Sequence, residues 1–130
     1  MNKDIFIILP FKESLKPGSA GAVSLYVKDT TKYSKFKNRI KIISSDEIRG
    51  KSKIFRNRNY ISDFCKKYSF HKIKIIEIHN RPEYLHYIKK FFPDAKINIV
   101  FHNDPLSIRG SIKIEDRKFI ISSCNKVIFI

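Results

Sequence analysis

Short isoleucine-rich runs recur along this chain, and helix-like segments separate most of them. "DIFIILP" (4–10), "RIKIISS" (39–45), "KIKIIEI" (72–78), "KINIVF" (96–101) and "KVIFI" (126–130) are five to seven residues long. That length and β-branched content suit strands better than helices. Between them, 19–36 places Val23, Tyr26, Val27 and Thr30 at helical spacing, and 60–70 does the same with Ile61, Phe64, Cys65 and Tyr68. The segment 81–93 has Pro82 where a first helical turn tolerates it and is closed by Pro93; 112–125 carries its acids early, as a helix start prefers. The alternation predicts an α/β fold, a parallel sheet with helices on both faces. Strands 4–9, 73–78, 96–101 and 127–130 are expected as parallel neighbours, with 39–43 in the same sheet. The basic stretch 46–59 lacks periodicity and reads as a loop. Its 49–59 part is expected to be the least ordered region.

At 130 residues the chain fits one domain with a real core. With 42% hydrophobic and 13% aromatic residues it is no disordered tail. Its apolar runs are too short to cross a bilayer. "MNKDIFIILPFKE" lacks the length and small-residue cleavage site of a secretory signal, so a cytoplasmic setting is expected. Cys65 and Cys124 lack metal-ligand spacing and are expected as reduced thiols. The sequence stops at Ile130 inside an apolar run, which we read as the front part of a longer protein. Lys and Arg number 27 against 12 acids, a net charge of +15. That excess suits nucleic acid, an anionic membrane surface or phosphorylated substrates. Heavy use of Lys, Ile, Asn and Phe, with little Ala or Gly, is a compositional bias that supplies lysines without any partner.

In parallel α/β sheets ligands bind beyond the carboxyl ends of the strands. Two strand ends here share one layout. "IIEIHNRP" (75–82) and "IVFHNDP" (99–105) each run from apolar residues into His-Asn and then a proline. His79, Asn80, His102, Asn103 and Asp104 are therefore candidates, with Arg109 a few residues on. Histidine donates to hydroxyls or phosphate and titrates near neutral pH; Asn and Asp partner sugar hydroxyls; Arg suits phosphate. After the first strand, "KESLKPGSAGA" (12–22) offers Gly18, Ser19 and Gly21 before a helix start, whose free N–H groups favour an anion. It matches neither the G-K-[ST] phosphate loop nor G-x-G-x-x-G. His71 and His86 read as surface residues. A hydrolytic metal site at His79, His102 and Asp104 lacks the His-x-His or Asp-x-His pairs that fix a metal, and no Ser or Cys sits in a nucleophile elbow.

Taken together, the buried first strand, the Gly-containing loop entering a long helix, "EIHNRP" and "VFHNDP" resemble the N-terminal domain of family 4 glycosyltransferases of the GT-B fold. The resemblance spans essentially all of residues 1–130, with Ala20 before Gly21 where the family more commonly has a double glycine. It implies a Rossmann-like half of a two-domain enzyme whose nucleotide-holding C-terminal domain lies outside this sequence. It also implies sugar transfer from a nucleotide-sugar donor, with retention and without metal or cofactor, to a glycan or lipid-linked acceptor. Lipopolysaccharide or surface-polysaccharide synthesis is the expected setting. By the same resemblance His102 is the catalytic-site histidine on the donor sugar, and Gly18, Ser19 and Gly21 approach the donor phosphates. His79 and Asn80 would line the acceptor side, with Asn103, Asp104 and Arg109 as further sugar contacts. This half alone is expected not to turn over, and to sit on the inner face of the cytoplasmic membrane through its basic surface. Two other readings stand beside it: a free-standing Rossmann-like nucleotide- or sugar-binding protein, and a nucleic-acid-binding module using "RGKSKIFRNRN" (49–59). The second of these lacks a nucleic-acid motif and leaves the strand ends without a role.

Overall fold

The computed structural model describes residues 2–48 and 55–130. Five strands form one sheet: β1 (Ile5–Ile8), β2 (Ile40–Ile43), β3 (Ile75–His79), β4 (Lys96–Phe101) and β5 (Lys126–Phe129). Their spatial order is β2-β1-β3-β4-β5 and every pairing is parallel, so the fold is Rossmann-like α/β. Helices α1 (Ala22–Lys32), α2 (Ser45–Ile48), α3 (Asn57–Tyr68), α4 (Leu85–Phe91) and α5 (Ile114–Ser123) fill the connections.

The two faces of the sheet differ. On one, Val23 and Val27 of α1 pack on Ile7 of β1 and Leu9 just after it, with Ile40 and Ile42 of β2 alongside. On the other, residues of α3, α4 and α5 cover Phe6, Ile8, Ile43, Ile76, Ile78, Ile97, Ile99 and Phe101 in the main core. β1 is thus buried on both faces, which explains its unbroken apolar run. Across β3, β4 and β5 the α1 face turns polar: Glu77 lies beside Asn98, and Asn98 beside Lys126. β5 is an edge strand, and its Phe129 is 66% exposed.

Ile61, Phe64, Cys65 and Tyr68 are all buried on the inner face of α3, as their spacing implies. Segment 46–59 departs from a plain loop. Asp46 to Ile48 belong to α2, and α3 already starts at Asn57. Asp46 accepts a hydrogen bond from Ser14 Oγ (2.6 Å), and Ile48 is buried, so tertiary contacts supply what periodicity did not show. Residues 49–54 of the basic stretch lie outside the described residues. The helix expected over 81–93 begins as a 3-10 turn at Pro82–Tyr84 and becomes α-helical only from Leu85. Among the described residues, no helix is long and apolar enough to cross a membrane. Both cysteines are free.

Candidate functional site

The chain turns to opposite faces after β1 and after β3: α1 leads from β1 over one face, α4 from β3 over the other. Such a switch point opens a crevice at the carboxyl edge of a parallel sheet. Both His-Asn pairs arrive beside it. Register explains how they meet. His79 is paired with Val100, and His102 comes two residues later, on the same face of β4. Like then finds like: His79 Nδ1 lies 2.8 Å from His102 Nε2, and Asn80 Nδ2 donates to Asn103 Oδ1 at 2.7 Å.

Asn80 is the joint of this arrangement. Its backbone is left-handed (φ 55), a conformation asparagine tolerates better than most residues. Its N–H donates to Val100 O, and its Oδ1 accepts from the His102 N–H at 2.8 Å. The residue expected to touch a ligand is buried and spends its groups on holding the two strand ends together. His79 is also inside, 1% exposed, with Nε2 2.6 Å from Glu77 Oε1. It reaches the surface through His102, which is partly exposed and packs nearly perpendicular to the Tyr26 ring at 5.1 Å between centroids. Tyr26, Thr30, Glu77, His79 and Ile128 line a cavity of about 250 Å³ between α1 and the sheet.

Electrostatics favour a neutral His102. Burial and the neighbouring His79 ring hold its pKa below the ordinary histidine value, opposed by the carboxylates of Glu13 and Glu77. Glu13 matters twice. Its Oε2 accepts from the Gly21 N–H at 3.0 Å, so a carboxylate of the chain itself stands at the N-terminus of α1. A Cβ on Gly21 would lie 2.3 Å from that oxygen, so the glycine permits the carboxylate's close approach.

The other candidates are placed as follows. Gly18 has a left-handed backbone (φ +84) with open space around it, and exposed Ser19 closes a local turn onto Lys16 O. Of the three loop residues, Gly21 is linked to the histidine pair, through Glu13, whose carboxylate acts on His102. Asp104 accepts from the Leu106 N–H (2.9 Å) and caps the turn Pro105–Ser107. Arg109 lies elsewhere, facing Glu83 at 3.7 Å in a cavity of about 370 Å³ with Arg56, Arg58, Tyr84 and Tyr87. His71 and His86 are exposed, although His86 stacks on Phe119 with centroids 4.4 Å apart. No group of three His, Cys, Asp or Glu among the described residues is arranged to hold a metal ion.

Sequence reasoning missed Glu13, Glu77 and Tyr26. Glu77 had a signal: a carboxylate inside an isoleucine run, two residues before His79 and therefore on its face. Glu13 had none, being eight residues from the glycine it serves. Nothing among protein-family models, curated proteins or solved structures matches this chain, so its reading rests on the geometry above.

Proposed function

We propose that this chain is the acceptor-side, N-terminal portion of a retaining, metal-independent glycosyltransferase of the GT-B type. It moves a sugar from a nucleotide-sugar donor to a glycan or lipid-linked acceptor, in the synthesis of lipopolysaccharide or another surface polysaccharide. The observation that carries the reading is the junction of the two His-Asn strand ends beside the start of α1. Hydroxyl-rich ligands need several fixed, neutral donors and acceptors, and a half-exposed imidazole on an asparagine-locked base offers them. Catalysis is then mainly positioning and charge stabilisation. His102 aligns the donor sugar, and the basic surface meets the phosphate end and an anionic membrane. Because Glu13 holds the Gly21 N–H, a donor diphosphate reaches the helix start only after Glu13 swings away. The test is to incubate the natural full-length protein with labelled nucleotide-sugars and bacterial lipid extract. Label should enter the lipid or glycan fraction with the donor's anomeric configuration, and chelation of metals should not stop it. Absence of transfer from every nucleotide-sugar, together with tight, salt-sensitive nucleic-acid binding, would replace the reading.

A further inference from the structure

Glu77, His79 and His102 form a chain of two short contacts: Glu77 Oε1 to His79 Nε2 at 2.6 Å, and His79 Nδ1 to His102 Nε2 at 2.8 Å. Each contact needs one hydrogen. An ionised carboxylate only accepts, so His79 carries its hydrogen on Nε2. A neutral His79 then has a bare Nδ1, which obliges His102 to donate from Nε2. A neutral His102 is left with a bare Nδ1.

We propose that Glu77 is a positioning residue which, through His79, makes His102 present a proton-accepting Nδ1 to a ligand hydroxyl, and that one added proton turns this nitrogen into a donor for an anionic oxygen. The proton comes from solvent and lands on His102 Nδ1. The hydrogen on His102 Nε2 passes to His79 Nδ1, so the imidazolium forms at His79, against the Glu77 carboxylate. His79 then donates to His102 Nε2, and both contacts survive with their direction reversed between the rings. The groups acting on His102 are few. Glu13 comes from the loop before α1, Glu77 from β3, and the Tyr26 ring from α1. Both carboxylates favour uptake of the proton, while burial and the second ring oppose it. Only the identity of the ligand, a sugar hydroxyl in one state and a phosphate oxygen in the other, rests on the transferase reading. The hydrogen placement does not.

Long-range 1H–15N NMR of the histidine rings tests it on this chain. Near neutral pH both His79 and His102 should show the Nε2–H tautomer. Glu77→Gln keeps an accepting oxygen but removes the charge that favours the imidazolium. It should lower the pH at which the pair takes up its proton by about one unit or more, with the His71 and His86 signals unmoved as proof of folding. Inorganic phosphate should perturb His102 more strongly below the titration midpoint than above it. An Nδ1–H tautomer for neutral His102, a titration indifferent to Glu77→Gln, or a phosphate response equal in both states would each overturn the proposal. Correct tautomers without sugar transfer by the full-length protein would sink the transferase reading alone.

Discussion

The carboxyl edge of the sheet has two sides of opposite electrical character. Beside α1, the carboxylates of Glu13 and Glu77 act on the His102 imidazole, and among the described residues no cation joins them. Beside α3, Arg56, Arg58 and Arg109 border a cavity in which the carboxylate of Glu83 already accepts from Asn57 Nδ2 at 2.8 Å. The chain has a net charge of +15, yet Arg81, whose Nη1 donates to Asn80 O at 2.8 Å, is not among the groups that act on His102. A cation there would make protonation of the pair harder still, whereas carboxylates keep it reachable. On the transferase reading proposed above, the separation becomes a division of labour, with hydroxyl chemistry on one side and anion holding on the other.

The largest effect is expected on the histidine side. On the transferase reading proposed above, His102→Ala in the natural full-length protein should lower turnover about a hundredfold, a typical loss for one positioned hydrogen-bonding group. The variant should still fold, but it strands the buried Nδ1 of His79 and should lose about 1–3 kcal/mol of stability. His86→Ala is the control. It should keep normal activity while losing about 1 kcal/mol of stability with its stack on Phe119. Steady-state kinetics and thermal melts read both variants. Unfolding of His102→Ala, with normal specific activity in whatever survives, would make this side a structural core and dissolve the comparison.

How much of this contrast was legible beforehand depends on which force set each residue. Strand runs and the buried stripe of α3 were readable because one-dimensional periodicity maps onto one face of an element. The meeting of His79 with His102 followed from topology, since parallel strands deliver their ends to one edge. That His79 and Asn80 would be interior was not readable. It depends on the register between β3 and β4 and on a left-handed Asn80, and neither leaves a mark in composition. Arg109 was grouped with the histidines by closeness in sequence. The loop after β4 carries it to Glu83, and Gly110 (φ +96) comes so near the Glu83 backbone that a Cβ would sit 2.9 Å from its nitrogen.

A second test asks what ties the two sides together. Tyr84 is buried; its hydroxyl accepts from the Phe11 N–H (3.1 Å), in the loop after β1, and donates to Asn57 Oδ1 in α3. Burial raises its pKa, so the hydroxyl stays a donor. Tyr84→Phe strands the Phe11 N–H and should cost about 1–3 kcal/mol in urea unfolding. It should also loosen both cavities together. Destabilisation below that range would mean that the sides are held independently.

Glu13→Gln is expected to act more gently and on one side only. The amide can still accept from the Gly21 N–H, but it no longer complements the positive end of α1, a loss of about 0.3–1 kcal/mol. Glu13 raises the proton affinity of His102, so its neutralisation should move the His102 titration to lower pH. NMR titration checks the sign. An upward shift would show that Glu13 does not face the ring as a charge.

The smallest effect on the fold is expected from Arg109→Gln, and it bears on whether the arginine side does anything. Arg109 is 93% exposed, and its 3.7 Å approach to Glu83 is a surface pair, of the kind that contributes little. Stability should stay within about 0.5 kcal/mol of the parent. Binding to anionic vesicles is a different matter. Each arginine near a phosphatidylglycerol-containing surface contributes about 1 kcal/mol, so one lost charge should weaken adsorption roughly fivefold. Added salt should erode that difference, since screening acts over about 10 Å at 0.1 M. The same substitution should leave the His102 titration where it was, because Arg109 is absent from the groups that set it. If vesicle binding is unchanged, the three arginines are solvated side chains. If the histidine titration moves as well, the two sides of the edge are one site and the division of labour between them fails.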